Sequence, residues 1–353
     1  MIRPFSIAGK KVGPGNPCLV IAEAGVNHNG DVGLAHKLID VAADAGVDAV
    51  KFQTFEPEKL VSPEAPKAEY QSENTGHEGN QLEMLRGLVL PKAAYEELMK
   101  HAADKGLLFL STPFEEDSSD FVEEIGIPAF KISSGDLTNH PFIKYVAEKG
   151  RPLLLSTGMA TMQQVDAAVK VVHESGNPPL ALFHCVTNYP TDPTDCNLRA
   201  METMRSRFGV PVGWSDHTVG IDISVAAVAL GADILEKHFT LDHNMPGPDH
   251  VASLEPDELT AMMKSIRRME SALGDGIKQP RPCEIVIAAA AMKSLYWKKD
   301  LHAGAKVEAN SVTALRPGTG ISPDKLSQFI GCVLAKPVRR GQMVSEMDVV
   351  RKS

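Results

Sequence analysis

The sequence predicts a (β/α)8 barrel, that is, a TIM-type α/β fold, followed by a small β-rich domain. Eight short apolar runs recur between residues 18 and 240, each followed by a polar or glycine-rich turn and a helix-like stretch. Continuous apolar runs separated by helices are typical of parallel strands covered on both faces. Eight such units in about 260 residues suit a closed barrel of ~250 residues. An open doubly wound sheet is the alternative, but no GxGxxG turn follows the first run.

Each of the eight runs is apolar at its start and polar at its end. In chain order they are CLVIAEAG from Cys18, DAVKFQT from Asp48, LLFLSTP from Leu107, AFKISSGD from Ala129, LLLSTGM from Leu153, LALFHCVTNYP from Leu180, PVGWSDH from Pro211 and ILEKHFT from Ile234. Between the runs, apolar residues recur at helical spacing, as at Leu34, Leu38 and Ala45. Glycines such as Gly46 stand where helix C-caps are expected. These features predict alternating strands and helices over residues 1–275.

The repeat stops at about residue 275 of the chain. GDGIKQPRPCE and the helical EIVIAAAAMKSLYW predict a linker with a helix over residues 276–297. In residues 298–353, two triplets share the same offsets: Gly304, Val307 and Val312, then Gly341, Val344 and Val349. This echo predicts two short β units in a domain of about 55 residues, where an isolated core is marginal. We therefore expect this domain to dock on a barrel, its own or a partner's.

Composition and charge are ordinary for a globular enzyme. The 353 residues are 43% hydrophobic and 23% charged, without an apolar run that could span a bilayer or a signal-like core near the N-terminus. The five cysteines are dispersed, which argues against a disulfide framework. A net charge of −9 makes nucleic acid a poor partner. We expect a cytoplasmic protein that binds neither nucleic acid nor membrane.

Two histidines end the last two runs, which are neighbours in a closed barrel. The carboxyl ends of barrel strands converge where such folds keep their active sites. His217 and His238, with Glu23, Glu236 and Asp249 within reach, are compatible with a site for Mn²⁺, Co²⁺, Zn²⁺ or Mg²⁺. The alternative is that either histidine is a hydrogen-bonded core residue. That alternative is favoured for the remaining histidines near strand ends: His28, His184 and His250.

Two lysines, Lys51 and Lys131, lie inside apolar runs, and in a barrel their ammonium groups reach water only at the mouth. Neutral donors stand at the ends of other runs: Ser134, Ser156, Asn188 and Ser215. Ammonium and hydroxyl groups gathered at one end form a cradle for phosphate or carboxylate. The alternative is that each lysine pairs with Glu23 or Glu236, and both arrangements are compatible in an empty enzyme.

Segments along nearly the whole chain match those of a known family. In order they are IAEAGVNHNGD, DAVKFQTF, STPF, KISSGDL, LLLSTGMA, HCVTNYP, GWSDHT, EKHFTLD and GPDH, then KDLHAGAKV, LRPGTGI and RRGQMV. The chain thereby resembles the sialic acid synthase family with its C-terminal antifreeze-like (SAF) domain. The resemblance implies condensation of phosphoenolpyruvate with N-acetylmannosamine and water, which yields N-acetylneuraminic acid and phosphate.

The resemblance also implies roles for individual residues. His217 and His238 would hold the metal, Mn²⁺ or else Mg²⁺ or Co²⁺, which polarises the aldehyde. The residues implied to hold phosphoenolpyruvate are Lys51, Thr112, Lys131, Ser134, Ser156, Asn188 and Ser215. Those implied to contact the sugar are Gln53, Tyr189, Asp249 and Arg316. Glu23 and Glu236, which with the two lysines form the catalytic set, would stabilise a cationic centre or orient water.

A domain-swapped homodimer is a further implication of the resemblance. The SAF domain would cover the partner's barrel mouth, bring Arg316 to the partner's site and exclude water. The chain departs from the family at one place: Met292-Lys293-Ser294-Leu295 stands where the family often has Arg-Arg-Ser-Leu. Only one of the two cations is kept, which affects the details of that linker contact.

Three alternatives differ in class or substrate. Legionaminic acid synthases, and less closely pseudaminic acid synthases, share the phosphoenolpyruvate and metal residues but take a 2,4-diacetamido-2,4,6-trideoxyhexose. A metal-dependent aldolase, epimerase or hydrolase on the same barrel would need the metal and the carboxylates, but not the anion cradle. A carbohydrate-binding protein without activity would leave the charged strand ends unexplained, because buried charges without a task reduce stability.

Overall fold

Eight parallel strands form a closed barrel, as the sequence predicts. A short hairpin of β1 (Phe5–Ile7) and β2 (Lys10–Val12) precedes them. The barrel strands are β3 (Leu19–Gly25), β4 (Ala49–Thr54), β5 (Leu108–Pro113), β6 (Phe130–Ile132), β7 (Leu153–Ser156), β8 (Leu180–Cys185), β9 (Val212–Asp216) and β10 (Ile234–His238). Each strand pairs with the next in the chain, and β10 pairs with β3, which closes the sheet and excludes the open alternative.

This architecture comes from a computed structural model that describes residues 2–76 and 78–350. The chain divides into two units, Met1–Gly274 and Asp275–Ser353, and the barrel lies in the first. No helix among the described residues is long and apolar enough to cross a membrane.

A helix follows every barrel strand. In chain order the helices of the first unit are α1 (Val32–Ala45), α2 (Pro57–Leu60), α3 (Glu69–Thr75), α4 (Gln81–Arg86), α5 (Tyr95–Asp104), α6 (Glu116–Glu124), α7 (His140–Glu148), α8 (Met162–Glu174), α9 (Ala200–Phe208), α10 (Asp222–Ala229) and α11 (Pro256–Leu273). Of these, α2, α3 and α4 are additions to the connection between β4 and α5. The local sequence sets the helix ends: Asp31 caps α1 by accepting the Leu34 N–H, and Gly46 ends it at φ +76°.

Strand residues alternate between two cores because successive side chains point to opposite faces. Val20 and Phe52 face the helices in one cluster, whereas Leu19 and Ile21 face the barrel interior in another. The N-terminal hairpin, which the sequence did not predict, belongs to the inner cluster. Its Ile7 and Val12 are fully buried there and close the bottom of the barrel. The barrel interior is therefore a packed core with access only from the carboxyl ends of the strands.

Up to residue 350, where the described part of the chain ends, the second unit contains one α-helix and short antiparallel strands. They are α12 (Pro282–Ala291), β11 (Ser294–Trp297), β12 (Val312–Leu315), β13 (Val333–Leu334) and β14 (Val349–Val350). The predicted helix through residue 297 was wrong in its last part, because β11 pairs with β12 and buries Leu295 and Trp297. Their period-2 alternation and the β preference of Tyr and Trp override the helical run of alanines. The small sheet therefore begins before residue 298.

The predicted internal repeat is present in the geometry of the second unit. Gly304 and Gly341 have φ values of +83° and +81°, which only glycine adopts readily. Val307 and Val344 are both buried in the small core. A short 3₁₀ turn precedes the next strand in each copy, at Ala309–Ser311 and at Glu346–Asp348. The two β units are therefore built alike.

Candidate active site

The carboxyl ends of the barrel strands surround a cavity of about 470 Å³, which includes solvent at its open mouth. The predicted site residues that line it are Glu23, Lys51, Gln53, Thr112, Lys131, Ser134, Ser156, Tyr189, Ser215, His217, Glu236 and His238. Additional lining residues that the sequence did not single out are Phe114, Ser133, Gly135, Cys185 and Thr187. Polar strand ends were the signal for most of the set, and the closed barrel brings them together.

Two lysines and two glutamates form a buried network on the cavity floor. Lys51 Nζ lies 2.8 Å from Glu23 Oε2 and 3.7 Å from Glu236 Oε2. Lys131 Nζ lies 3.5 Å from Glu236 Oε1, on the opposite side of the same carboxylate. All four side chains are at most 5% exposed. The lysines thus pair with the glutamates, as one sequence alternative expected, while they remain at the cavity surface.

The pKa values of the two carboxyl groups are shifted in opposite directions. Burial raises the pKa of Glu23 to about 7, against the lowering effect of the Lys51 charge and with a further increase from Glu236. Burial also raises the pKa of Glu236, but the charges of Lys131 and Lys51 outweigh it and hold that pKa well below its usual range. Glu236 is therefore the ionised carboxylate of the pair, and Glu23 is the one able to exchange a proton near neutral pH.

Hydroxyl groups line the cavity beside the lysines. Thr112 Oγ1 accepts a hydrogen bond from Lys51 at 2.8 Å, and Ser215 Oγ donates to Glu236 Oε1 at 3.1 Å. Ser134 Oγ accepts the Gly158 N–H at 2.9 Å. A Cβ on Gly158 would lie 2.2 Å from Thr187 Oγ1, so the glycine after β7 is required for this close approach. The arrangement offers two cations and several neutral donors to one small anion.

The two predicted metal ligands face each other across the end of β9 and β10. The ring centroids of His217 and His238 are 5.5 Å apart, and Tyr189 packs against both. His217 Nδ1 donates to the Val186 carbonyl at 2.6 Å, which leaves the Nε2 lone pair free. His238 Nδ1 is buried without a hydrogen-bond partner and lies 4.0 Å from Asp249 Oδ2. Burial lowers the pKa of both rings, so both are neutral.

These two imidazoles fit a divalent metal through two nitrogen ligands. No group of three or more His, Cys, Asp or Glu side chains in residues 2–76 and 78–350 is arranged to hold a metal ion. A divalent ion bound here would have His217 and His238 as its protein ligands among the described residues. The orphaned Nδ1 of His238 is the observation that favours the fit, because a buried nitrogen without a partner is destabilising.

Three predicted residues lie outside the cavity wall. Asn188 is exposed and donates its amide to the Pro190 carbonyl at 3.1 Å. Asp249 is buried beside His238, and burial raises its pKa to about 6. Arg316 belongs to the second unit, where its side chain is exposed. The structure therefore does not bring Asn188 into the anion cradle that the sequence assigned to it.

The other histidines near strand ends have structural hydrogen bonds. His28 Nδ1 accepts the Gly30 N–H at 3.0 Å, and His184 Nε2 donates to the Cys196 carbonyl at 2.9 Å. His250 is buried, with Thr240 Oγ1 at 2.6 Å from its Nδ1. None of these three rings lines the cavity.

Tyr70 is an aromatic residue near the site that the sequence did not indicate. It lies on α3, and its ring centroid is 5.1 Å from that of Tyr189. Asn74 on the same helix donates to the Pro248 carbonyl at 2.6 Å. The insertion between β4 and α5 thereby extends the aromatic wall above His217. Because α3 is remote from the strand ends in sequence, no local pattern could have placed it there.

Fold and site together define a (β/α)8-barrel protein with a charged mouth of the kind in which such folds carry catalysis. The profile of the NeuB family matches residues 38–278, and that of the SAF domain matches residues 293–350. The chain belongs to the NeuB family and carries a C-terminal SAF domain.

Similar proteins are sugar-acid synthases. The chain is 44% identical over 330 residues to N,N'-diacetyllegionaminic acid synthase of Campylobacter jejuni, covering 93% of this chain and 99% of that protein. It is 36% identical over 343 residues to N-acetylneuraminate-9-phosphate synthase of Mus musculus, covering 97% and 95%. The crystal structure of N-acetylneuraminic acid synthetase from Leptospira borgpetersenii in complex with citrate superposes with a TM-score of 0.72 at 34% identity, covering 80% and 94%.

Proposed function

We propose that this protein is a nonulosonic acid synthase. It condenses phosphoenolpyruvate with 2,4-diacetamido-2,4,6-trideoxymannose and water, which gives N,N'-diacetyllegionaminic acid and phosphate. The observation that carries the reaction class is the pair Lys51 and Lys131, whose ammonium groups flank one ionised carboxylate at the floor of the cavity. An aldolase, epimerase or hydrolase would not need this second cation beside the hydroxyl cradle.

The choice of the trideoxy sugar as acceptor is supported by the similarity of the chain to known synthases. The sequence alone favoured N-acetylmannosamine as acceptor. The 44% identity to a diacetyllegionaminic acid synthase, against 36% to an N-acetylneuraminate-9-phosphate synthase, favours the trideoxy sugar instead. The ring of Tyr189, which lines the cavity and packs against Tyr70, also suits a sugar with a methyl group in place of a primary hydroxyl. N-acetylmannosamine is the second candidate.

The cavity residues divide into binding and chemical roles. Lys51 and Lys131 bind the carboxylate and phosphate of phosphoenolpyruvate, with hydroxyl donors from Thr112, Ser134, Ser156 and Ser215. Carbon 3 then forms a bond to the aldehyde carbon while positive charge develops at carbon 2, and the aldehyde oxygen takes up a proton to become a hydroxyl group. Glu236, which is held ionised by the two lysines, stabilises that charge. The binding role of Asn188 stays a prediction, and in this structure its amide donates to the Pro190 carbonyl outside the cavity wall.

Water addition completes the reaction. Glu23, with its pKa of about 7, takes a proton from the water that adds at carbon 2. The tetrahedral intermediate then loses phosphate by cleavage of the C–O bond, which leaves the 2-keto acid. A divalent ion such as Mn²⁺, held by His217 and His238, would supply Lewis-acid polarisation of the aldehyde. Gln53 and Tyr189, which line the cavity, would contact the sugar, and the same role is proposed for Asp249 beside His238.

A domain-swapped homodimer remains part of the proposal. Two exposed apolar surfaces support an assembly. At the barrel mouth, Met159, Val219 and Val251 are each more than half exposed. On α12, Ile285, Val286 and Ile287 are at least 63% exposed, and the helix contains no buried residue. Large apolar side chains exposed in this way are candidates for an interaction surface. In the proposed dimer, the SAF domain of one protomer covers the mouth of the other and Arg316 contacts the sugar there.

The decisive experiment measures phosphate release from phosphoenolpyruvate with Mn²⁺ and each sugar in parallel. We expect release with 2,4-diacetamido-2,4,6-trideoxymannose at a kcat/KM well above that with N-acetylmannosamine. A preference for N-acetylmannosamine would move the assignment to N-acetylneuraminate and leave the reaction class intact. No release with either sugar would overturn the proposal.

A further inference from the structure

Ser294 lies at the start of β11 in the second unit, and its side chain is fully buried. Its hydroxyl group donates a hydrogen bond to the Pro317 carbonyl at 2.7 Å. The same hydroxyl accepts the Gly320 N–H at 2.8 Å. These two backbone groups belong to the irregular segment that follows Arg316, which we call the Arg316 loop (residues 316–320). One serine thus bridges two points of that loop, from a strand more than twenty residues earlier in the chain.

Close packing holds the Arg316 loop from the other side. The Gly318 N–H donates to the Ala289 carbonyl at the end of α12, at 2.8 Å. A Cβ on Gly318 would lie 2.6 Å from Met292 Cβ, and one on Gly320 would lie 2.3 Å from Met343 Sδ. Gly318 is therefore needed for the loop to approach α12, and a side chain at position 320 would displace Met343. The Arg316 side chain, in contrast, is exposed.

We propose that Ser294 is a positioning residue that holds the Arg316 loop in the conformation in which Arg316 meets the sugar. This inference rests on the proposed function, in which Arg316 contacts the acylated sugar. A hydroxyl group both donates and accepts, so one side chain satisfies a carbonyl and an N–H on either side of Gly318. Pre-organising a loop reduces the ordering cost when its contact is made. Ser294 therefore contributes to sugar affinity without touching the sugar.

The main variant is Ser294→Ala, which removes both hydrogen bonds with little change in volume. We expect the KM for the sugar to rise roughly five- to tenfold, the scale of one lost hydrogen bond, while the KM for phosphoenolpyruvate stays within about twofold. The matched control is Ser311→Ala. Ser311 is equally buried in the same domain, but its hydroxyl accepts the Glu308 N–H, away from the Arg316 loop. This control should lower the melting temperature comparably and leave both KM values unchanged.

A double-mutant cycle with Arg316→Ala separates positioning from general loss of stability. If Ser294 acts through Arg316, Ser294→Ala adds no further increase in sugar KM in the Arg316→Ala background. An additive increase, or an equal rise in the KM for phosphoenolpyruvate, overturns the inference. Arg316→Ala with no effect on sugar KM would instead refute the proposed role of Arg316, and the role of Ser294 would fall with it.

Amide hydrogen exchange provides a readout that does not depend on activity. In the wild type the Gly320 N–H is bonded to a buried hydroxyl, so we expect it to exchange slowly. Ser294→Ala should accelerate exchange in the peptide that covers the Arg316 loop, and Ser311→Ala should not. Unchanged protection of that peptide in a folded Ser294→Ala protein would show that the serine does not hold the loop, whatever the substrate.

Discussion

Asp216 and Lys237 form an ion pair in which neither side chain has any exposure to solvent, with Nζ and Oδ2 3.3 Å apart. They are directly paired in register on β9 and β10. Each residue immediately precedes one of the two histidines of the site, His217 and His238. Asp216 also accepts hydrogen bonds from the Thr218 N–H and hydroxyl. The pair therefore joins the ends of the two strands that carry the proposed metal ligands, behind the barrel wall.

Removing one partner of the Asp216–Lys237 pair should destabilise the protein strongly. Lys237→Met leaves a buried, uncompensated Asp216 carboxylate, so we expect the free energy of unfolding to fall by about 3–5 kcal/mol. The double variant Asp216→Asn/Lys237→Met should recover part of that loss, because no charge then remains buried. Urea denaturation measures all three proteins. The exposed pair Lys170–Glu174 provides the control: Lys170→Met should change stability by no more than about 0.5 kcal/mol. A Lys237→Met effect of that small size would contradict the argument.

The raised pKa of Glu23 predicts a pH-dependent stability. In the folded protein this carboxyl titrates at about 7 instead of 4.5, so the folded state binds the proton more tightly than the unfolded state does. Its contribution is fully present below pH 4.5 and is lost as pH rises through 7. The loss is on the order of 3 kcal/mol.

The test compares the wild type with Glu23→Gln by chemical denaturation between pH 5 and pH 7.5 in the presence of a chelator. The wild type should lose stability relative to the variant as pH rises across this range. Glu236 does not interfere in this window, because it stays ionised throughout. Identical pH slopes for the two proteins would show that Glu23 is not the carboxyl with the raised pKa.

Metal binding should depend on both proposed ligands. We expect His217→Ala and His238→Ala each to weaken Mn²⁺ binding, measured by titration calorimetry. Removing a residue that only hydrogen-bonds to a metal ligand typically weakens metal binding by roughly 10- to 100-fold, and the loss of a ligand should exceed that. Asp249→Asn, which alters the carboxylate 4.0 Å from His238, should fall within that smaller range. His173→Ala, on the exposed face of α8, is the control and should bind Mn²⁺ like the wild type. Full activity in excess EDTA would exclude the metal role.

The structure places two predicted phosphoenolpyruvate ligands in different environments. Lys131 is buried at the cavity floor, whereas Asn188 is exposed and bonded to Pro190. Lys131→Met should raise the KM for phosphoenolpyruvate roughly 10- to 100-fold, the cost of a charge-assisted hydrogen bond. Asn188→Ala should change it by less than about threefold, since a solvated amide is already satisfied. Initial-rate kinetics at saturating sugar measure both, and equal effects would mean that the loop of Asn188 rearranges on binding.

Much of the site was predictable from strand ends. Glu23, Lys51 and Lys131 interrupt apolar runs of the sequence. Because charged side chains are rarely buried unless they are paired or functional, these residues indicated a functional site at the barrel mouth. Glu236 and His238 are two residues apart, and alternation in a strand placed them on one face. The resemblance then named the reaction. The similarities favour the acceptor sugar that the sequence placed second, because the residues at the strand ends indicate an anion site more clearly than they indicate acceptor preference.

The sequence by itself determined the barrel, its strand ends and the repeat in the second unit, because hydrophobic periodicity and glycine positions are local signals. Only the tertiary structure decided that Asn188 faces outward, that Tyr70 stacks on Tyr189 and that Ile7 closes the barrel floor. These contacts join residues far apart in the chain, and the opposite pKa shifts of Glu23 and Glu236 depend on distances between side chains of different strands. No local pattern encodes such distances, because they arise when the sheet closes.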